Sequence, residues 1–511
     1  MGTLAPKADV RNEAGGVAYA FTPRHALAQY ASTGCLNQTY YATAEDQLQK
    51  MLTLCEEVPT DFIARTAVYC REKGLMKDTP ALLCAVLAAR DAERLELIFP
   101  RVINDAKMLR NFVQILRSGV TGRKSLGSLP KRLVRKWFEG RSDEAIFRAD
   151  VGQSPSVADV IKMVHPRPQT PAREALYGYL IGRKHEASLL PSLVQEFEAW
   201  KQNPEVAPPE VPFQMLTALP LNEGHWKTIA RRAPWQMTRM NLNTFARHGV
   251  FKDADLVKLV AERLRDPDQV RRARVFPYQL LAAYFNTGDD VPLVIKEALQ
   301  DAMEVAVENV PAVQGKVILA PDVSGSMHSS VSGYRPGATS KVRCIDVAAL
   351  VAAAFLRKNR DAAVLPFECK VVPVSLNPRD SVMTNAQKLC SMPGGGTNCS
   401  SVLVHLNQTR AQADLVVYVS DNESWRDTLP GPARNAPTAL MAEWEKFKQL
   451  NPAARLVCLD IQPYASTQAQ ERADILNIGG FSDSVFEIIT AFAEGRLGPD
   501  HWVGEIEKIA L

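Results

Sequence analysis

Three side chains that carry hard oxygen atoms follow an apolar run in the C-terminal half of the sequence. The run Val317–Ala320 is typical of a buried strand that ends at Pro321. Asp322, Ser324 and Ser326 come next. In open α/β sheets, ligand sites lie at the carboxyl ends of the strands. Oxygen donors at such a position suit Mg²⁺ or Mn²⁺ rather than a soft metal. An acidic turn at a strand end needs no metal, so this motif alone leaves both interpretations open.

Two later features supply the remaining donors of such a site. The flexible loop Gly394–Thr397 presents a hydroxyl, and it lacks the lysine and the spacing of a phosphate-binding loop. Asp421 follows a second apolar run, Leu415–Ser420. If the pieces meet at one sheet edge, the two serines and Thr397 bind a divalent cation. The two aspartates then balance its charge directly or through water. One coordination position would stay open for an acidic group of a partner.

Other kinds of metal chemistry are disfavoured. The nine cysteines are scattered without a CxxC pair, and the eight histidines show no HExxH spacing. A zinc site, a disulfide framework and a histidine-ligated catalytic metal are therefore not expected. A metal-dependent nuclease is the weakest hypothesis, because a two-metal site needs a carboxylate cluster rather than two aspartates among hydroxyls. We assign no catalytic residue and predict that the protein is not an enzyme.

Length and charge place these residues in a chain of several domains. At 511 residues the chain is too long for a single core. The N-terminus lacks a signal-peptide pattern, and no apolar stretch approaches the roughly 20 residues that span a bilayer. We therefore expect a soluble, cytoplasmic protein without membrane contact. The net charge of +4 is unevenly distributed, with +8 over residues 1–300 and −4 over the rest, so the two parts are expected to meet different partners.

The elements that must position the site differ between the two parts. Residues 1–300 read as helices of about a dozen residues joined by short turns, including one helix over Asp91–Met108. This pattern predicts paired, HEAT-like helices in an α-solenoid, without a clear repeat period. From Lys316 onward strands and helices alternate, and the predicted strands include Ala363–Phe367 and Val371–Val374. Such alternation predicts a parallel sheet with helices on both faces.

The densest positive charge lies in Arg101–Lys136, where ten basic residues are opposed within the segment only by Asp105. Glycines predict a loop in its middle, and a helix is predicted to follow from Pro130. On that helix, Lys131/Arg135 and Arg132/Lys136 form i,i+4 pairs of like charge. An anionic polymer accounts for a loop and a helix that are basic together, and a merely solvated helix face is the alternative.

A histidine ends the next predicted helix. Ser156 and Asp159 form a capping box, and the helix runs to Val164, where Pro166 stops it at His165. Arg167 follows. On the pattern alone, a histidine at a helix end is more often structural than functional.

The five oxygen-bearing positions together resemble a known motif. The metal-ion-dependent adhesion site of the von Willebrand factor A (vWA) domain is DxSxS followed by a later Thr and a later Asp. Asp322, Ser324, Ser326, Thr397 and Asp421 fill all five positions. The resemblance covers about residues 316–511, and it implies an α/β doubly wound domain that binds Mg²⁺ or Mn²⁺ at these residues.

Segments of the N-terminal part resemble the Ro autoantigen family, whose members combine a TROVE module with a vWA domain. They are Thr39–Tyr41, Ser118–Phe138, Ser156–Pro168, Met240–Val250 and Arg274–Tyr284. The resemblance implies an RNA-binding, HEAT-like helical ring over residues 1–310, closed by the vWA domain over residues 311–511 in a monomer. Individual loop residues are not fixed by it, because this chain has additional residues around Lys124–Leu129.

The resemblance also implies a function. In the family, Y RNAs bind the outer surface of the ring, and single-stranded 3′ ends of misfolded RNAs enter its basic hole. It implies RNA quality control and survival of stress, with an exoribonuclease such as polynucleotide phosphorylase as a possible partner. The RNA-binding residues implied here are Arg117, Arg123, Lys124, Lys131, Arg132, Arg135, Lys136, His165 and Arg167. Tyr40, Tyr41 and Trp137 are predicted to be core residues rather than base-stacking ones. The alternative function is a metal-dependent adhesion scaffold that binds an acidic protein ligand.

Overall fold

The computed structural model describes most of the chain. The described residues are 6–33, 36–152, 154–204, 207–273, 275, 277–308, 310, 312–334, 342–426, 436–480, 484–498 and 501–511. Part of the predicted segment Arg274–Tyr284 and part of the loop after Met327 lie outside them.

The chain packs into two compact units. The first comprises residues 1–58, 264–287 and 296–508, and the second comprises residues 59–263, 288–295 and 509–511. The N-terminal segment thus packs with the α/β part of the chain. The boundary at residues 310/311, which was placed where the residue pattern changes, is not tested by this division and stays a prediction, as does the closure of a ring.

Helices dominate the chain before residue 307. They are α1 (Pro23–Thr33), α2 (Ala44–Glu57), α3 (Thr60–Glu72), α4 (Asp78–Arg90), α5 (Ala92–Val102), α6 (Ala106–Ser118), α7 (Ser128–Glu139), α8 (Asp143–Arg148), α9 (Val157–Val164), α10 (Pro171–Leu180), α11 (Ser192–Gln202), α12 (Phe213–Leu216), α13 (Glu223–Arg232), α14 (Trp235–Met240), α15 (Leu242–Arg247), α16 (Ala254–Arg265), α17 (Pro267–Ala273), α18 (Pro277–Asn286) and α19 (Leu293–Ala306).

The helix predicted over residues 91–108 is wrong, because the structure divides it into α5 and α6. Asp91 caps α5 by accepting a hydrogen bond from the backbone N–H of Arg94 at 3.0 Å. Asp105 caps α6 in the same way from Met108 at 2.8 Å. A second N-cap inside an apolar periodic stretch starts a new helix, since its side chain satisfies amide groups that would otherwise lack partners. The capping box of α9 is confirmed, with Ser156 and Asp159 bonded reciprocally.

A five-stranded sheet with helices on both sides forms the α/β part, as predicted. Its elements are β3 (Val317–Pro321), α20 (Cys344–Lys358), β4 (Ala363–Val364), α21 (Val382–Cys390), α22 (Ser401–Gln408), β5 (Leu415–Ser420), α23 (Ala439–Leu450), β6 (Arg455–Asp460), β8 (Ile475–Gly479), α24 (Ser484–Ala493) and α25 (His501–Glu507). The strand order is β4-β3-β5-β6-β8, and all neighbours are parallel. Strand β8 and helices α21 and α25 were not predicted.

The two faces of this sheet bury different helices. Alternate strand residues such as Ile318, Val416 and Leu456 pack in one core with the apolar residues of α22 and α23. Helix α20 contacts β3 and β5 and packs against α21. Val417 and Leu319 are fully buried, as expected for strands that are covered on both faces.

The predicted strand Val371–Val374 is wrong. The chain turns back after Phe367, which makes a single antiparallel bridge with Val371. Val372 donates a backbone hydrogen bond to the carbonyl of Pro366 at 2.7 Å. Pro373 has no N–H to donate, so the segment cannot continue as an inner strand. The strand predicted over residues 363–367 is shorter, with β4 restricted to Ala363–Val364.

The N-terminal segment adds a small antiparallel sheet to the same unit. It consists of β1 (Val10–Arg11), β2 (Val17–Ala20) and β7 (Ser466–Thr467). Tyr19 of β2 pairs with Thr467 of β7. Among the described residues, no helix combines the length and the apolar character needed to cross a membrane.

Candidate functional site

Parallel pairing brings the two strand-end aspartates together. β3 and β5 are neighbours, with Pro321 opposite Val419. The backbone N–H of Asp322 donates to the carbonyl of Val419 at 2.9 Å. Asp322 and Asp421 therefore leave their strands at the same edge of the sheet, as predicted.

Local hydrogen bonds fix the loop after β3. One carboxylate oxygen of Asp322 accepts from the Ser420 hydroxyl at 2.6 Å, and the other accepts from the backbone N–H of Ser324 at 2.8 Å. The Oγ atoms of Ser324 and Ser326 are 3.3 Å apart. Both strand ends thus share one hydrogen-bonded cluster.

The glycine loop delivers Thr397 to this cluster. The backbone N–H of Gly325 donates to the carbonyl of Gly395 at 2.8 Å. The carbonyl of Thr397 accepts from Trp425 at 3.3 Å and from Arg426 at 3.1 Å, in the segment that follows Asp421. The five predicted metal-binding positions are therefore drawn from three loops that are bonded to one another.

We expect Gly394→Ala to disturb this loop, because a Cβ at Gly394 would lie 2.8 Å from the Cα and 3.0 Å from the backbone nitrogen of Gly325. Two backbone segments cannot separate without breaking the hydrogen bond at Gly395. The expected loss is about 1–3 kcal/mol in the free energy of unfolding. Urea unfolding measures this loss. Gly498→Ala is the matched control, since a Cβ there meets nothing within 4 Å; equal losses in both variants would contradict the prediction.

The five side chains are buried, each with at most 4% exposure. Burial, and then the negative charge of Asp421, raises the pKa of Asp322 to about 7. Burial also raises the pKa of Asp421. Two desolvated carboxylates repel each other unless a positive charge lies between them. Carboxylates and hydroxyls are hard oxygen donors, so the donor set fits Mg²⁺ or Mn²⁺.

Two further buried acids lie near this edge, and neither is among the predicted site residues. Glu423 and Asp460 are buried, and burial raises the pKa of each, with the charge of Asp421 as the next cause. Asp460 ends β6, so a third aspartate at a strand end was visible in the sequence. Glu423 could not be found in that way, because its burial depends on the N-terminal segment. Within the described residues, no three His, Cys, Asp or Glu side chains form a group able to hold a metal.

The predicted basic helix α7 has the expected two faces. Leu133, Val134, Trp137 and Phe138 are buried, and Lys131, Arg132, Arg135 and Lys136 are exposed. However, the surface around α7 carries less positive charge than the sequence of the basic segment predicts. Glu96 of α5 lies 2.7 Å from Arg132 and 3.6 Å from Lys136. Tertiary structure thus supplies an acid that the segment itself lacks.

The other predicted RNA-binding residues lie on elements that contact α7 or one another. Arg135 donates to the carbonyl of Val164, which joins α7 to the end of α9. His165, the next residue, is exposed with a left-handed φ of 50°. Helices α6 and α9 are in contact. Arg117 at the end of α6 is exposed, as is Arg167 beyond α9.

The remaining two predicted RNA-binding residues, Arg123 and Lys124, lie in the loop between α6 and α7. Arg123 is half-buried and bonds the carbonyl of Ala88, so its guanidinium is partly committed to the fold. Lys124 is exposed. In the part of the chain that the structure describes, no ion pair is found for Lys124, Lys131 or Arg167.

The three aromatic residues that were predicted to be core residues differ in their burial. Trp137 is buried as expected, with Arg141 stacked 4.4 Å from its ring centroid. Tyr41 is half-buried. The prediction for Tyr40 is wrong, because its side chain is 60% exposed. Tyr40 and Tyr41 lie on a turn outside any helix, so helical periodicity gave no indication of their burial.

These features define a protein that joins a helical-repeat part of the TROVE type to a vWA domain. The family model for the Ro60 vWA domain matches residues 316–493. The RNA-binding protein RO60 of Deinococcus radiodurans is 26% identical over 530 residues, which cover 96% of each chain. The chain thus carries a vWA domain of the Ro60 type, and over nearly its whole length it is similar to a protein of the Ro family.

Two other comparisons agree with this assignment. The RNA-binding protein RO60 of Caenorhabditis elegans is 23% identical over 256 residues, covering 48% of this chain and 38% of the relative. The crystal structure of the Deinococcus radiodurans RO (RSR) protein matches with a TM-score of 0.63 and 21% identity, over 93% of this chain and 100% of that one. At this identity the structural match supports the fold alone.

Proposed function

We propose that this protein is a non-catalytic RNA-binding protein of the cytoplasm that holds structured small RNAs on the exposed basic face of α6, α7 and α9. The observation that carries the proposal is this face itself. Lys131 is exposed on α7, whose other side is buried, and Lys124 before α7 and Arg167 after α9 are exposed as well. Exposed cations close together bind phosphates and release counterions. The relatives named RNA-binding protein RO60 support the same function.

The identity of the RNA and of the partners is proposed from the resemblance to the Ro family. We propose that the RNA is a noncoding Y RNA, that misfolded RNAs enter by an unpaired 3′ end, and that the chain acts as a monomer in RNA quality control with an exoribonuclease. Recognition of RNA shape and of unpaired ends needs few base-specific contacts. Such recognition suits a face built of lysine and arginine.

We also propose that the vWA domain binds Mg²⁺ or Mn²⁺ through Ser324, Ser326 and Thr397, with Asp322 and Asp421 balancing the charge. When bound, the cation supplies positive charge between two buried carboxylates and fixes the three loops. The burial of all five side chains argues against the adhesion alternative, because a partner's carboxylate would first have to displace the residues that cover them.

The experiment that tests RNA binding is a titration of the full-length chain with a structured small RNA carrying a free 3′ tail, repeated over a range of salt concentrations. A steep decrease of affinity with salt is expected. Weak binding that does not depend on salt would contradict the proposal. Cleavage of the RNA that requires both Mg²⁺ and Asp322 would instead support a nuclease.

Glu96→Gln is expected to strengthen RNA binding. The substitution releases Arg132 and Lys136 from their common partner, so two more cations can reach phosphates. We expect an affinity about two- to fivefold higher and a slope of log affinity against log salt that is steeper by about 1–2. Glu93→Gln on the same helix is the control, because Glu93 is also exposed. If both variants bind alike, Glu96 does not restrain the basic face.

A further inference from the structure

A cavity of about 390 Å³ lies between α12, α13 and α15. No described residue of α6, α7 or α9 lines it, so it is separate from the basic face. Its volume falls in the range of small-molecule sites, about 300–1,000 Å³. Its wall combines apolar side chains, such as Phe213 and Leu219, with the polar side chains of Thr217, Asn241 and Thr244. A few polar groups in an apolar wall are what such sites use to orient a ligand.

One side of the cavity comes from α12 and α13. The chain leaves α12 at Thr217 and crosses to α13, where the side chain of Asn222 accepts a hydrogen bond from the backbone N–H of His225 at 2.9 Å. This N-cap starts the helix, since it satisfies an amide group that would otherwise lack a partner. Trp226, the residue after His225, lines the cavity.

The other side comes from α15. Asn241, Thr244 and His248 are three and four residues apart, which places them on one side of this helix and its ends. The side-chain nitrogen of Asn241 donates to the carbonyl of Met237 at 2.9 Å. In the described part of the chain, no hydrogen bond is found for the hydroxyl of Thr244 or for the ring nitrogens of His248, and both side chains are half-buried. The cavity therefore offers polar groups that the fold leaves unused.

Aromatic rings form the part of the wall where the two sides meet. The rings of Trp226 and His248 are stacked, with centroids 4.2 Å apart and an angle of 8° between their planes. The ring of Phe213 meets Trp226 edge-on, at 5.6 Å between centroids. All three residues line the cavity. A ligand in it would thus contact aromatic rings and unused polar groups together.

We propose that this cavity binds an unpaired nucleobase of a bound RNA. The proposal rests on the proposed RNA-binding function, and it adds a site for bases to a face that binds phosphates. A nucleobase is a flat aromatic ring with hydrogen-bond donors and acceptors along its edge, so it matches both kinds of group in the wall. RNA-binding proteins stack unpaired bases on aromatic side chains and bind the edges of those bases by hydrogen bonds.

The surroundings favour a base within a strand over a free nucleotide. Phe213 also lines a second cavity, of about 290 Å³, together with the exposed Arg232. Arg247, next to His248, is exposed as well. A single strand offers successive bases to neighbouring cavities and phosphates to the arginines, whereas a free nucleotide offers only one base.

The test compares two RNAs of equal charge. Both are a hairpin with an unpaired 3′ tail, and in the second RNA the tail nucleotides are abasic, so that their phosphates stay and their bases are absent. Fluorescence anisotropy measures the binding of each RNA to the full-length protein over a range of salt concentrations. Stacking of a base on an aromatic side chain typically raises affinity about 5- to 100-fold, so the wild type is expected to prefer the tail with bases by such a factor.

Two tryptophan variants locate the base site. Thr217→Trp fills the cavity from an exposed position of its wall, and it is expected to bind both RNAs with the affinity of the wild type for the abasic tail. Gln214→Trp is the matched control and is expected to keep the preference, because Gln214 is exposed on the same short helix and does not line the cavity. If Thr217→Trp is misfolded in circular dichroism, His248→Leu takes its place, since it removes the stacked ring and keeps apolar bulk.

The outcomes separate this proposal from the proposed function. Equal affinity of the wild type for the two RNAs, with a steep salt dependence, overturns the base site and leaves RNA binding by the basic face intact. A preference for bases that persists in the folded cavity variant also overturns it. Displacement of the RNA by adenosine or uridine monophosphate at comparable concentrations would assign the cavity to a free nucleotide instead. A wild type that binds neither RNA overturns the proposed function as well.

Discussion

Replacement of Asp322 by alanine is expected to weaken Mg²⁺ or Mn²⁺ binding to the full-length chain by more than about a hundredfold, since even groups that only orient a ligand contribute 10- to 100-fold. Asp322 is fully buried and supplies one of the two charges that a cation would balance. Its loss also leaves the Ser420 hydroxyl and the Ser324 amide without their acceptor.

Two further variants separate charge from structure. Asp322→Asn keeps the shape and one acceptor oxygen but removes the charge, so it is expected to lose most of the metal affinity while it retains more of the stability. Asp361→Ala, at an exposed aspartate of the same unit, is the control and is expected to bind normally. Calorimetry with Mg²⁺ and Mn²⁺ measures all three. If Asp322→Ala binds Mg²⁺ and Mn²⁺ with the affinity of the wild type, Asp322 does not contribute to cation binding.

RNA affinity is expected to survive the loss of Asp322. The basic face and the proposed metal site belong to different packing units. Residues 1–300, which include the basic face, carry a net positive charge, and residues 301–511, which include the proposed metal site, carry a net negative charge. A large loss of RNA affinity in Asp322→Ala, with the fold preserved in circular dichroism, would show instead that the vWA domain takes part in RNA binding.

The second large effect is expected from neutralising the exposed cations of the basic face. The triple variant Lys124→Gln, Lys131→Gln and Arg167→Gln removes three side chains that the described structure leaves for phosphates. Each lost phosphate contact lowers the slope of log affinity against log salt by about 0.7–0.9, so a total decrease of about 2–3 is expected. At about 0.1 M salt the affinity is expected to fall about 10- to 100-fold.

The matched control changes the same total charge elsewhere. Lys358→Gln, Arg360→Gln and Lys370→Gln neutralise three exposed cations of the other unit. This variant is expected to keep the steep salt dependence of the wild type. If the two triple variants lose affinity equally, RNA responds to net charge and not to the face formed by α6, α7 and α9.

Patterns among near neighbours in the sequence were enough to predict the local elements and the oxygen donors of the proposed metal site. Strand β3, the basic helix α7 and the capped helix α9 follow from residue periodicity and capping, which depend only on near neighbours. The motif Asp322, Ser324, Ser326, Thr397 and Asp421 is also readable, because carboxyl ends of parallel strands meet at one sheet edge. Two predictions from local patterns were wrong. A second N-cap divides residues 91–108 into two helices, and a proline prevents an inner strand at residues 371–374.

Which charged groups lie next to each other became known only from the packing of distant segments. Glu96 neutralises part of the basic helix, although it lies outside the basic segment. The backbone N–H of Ala14 donates to the buried carboxylate of Glu423 across 409 residues of sequence. Such contacts depend on how distant segments pack, and no period or spacing records that packing. The oxygen donors of the proposed metal site were therefore visible in the sequence, whereas the packing around them was not.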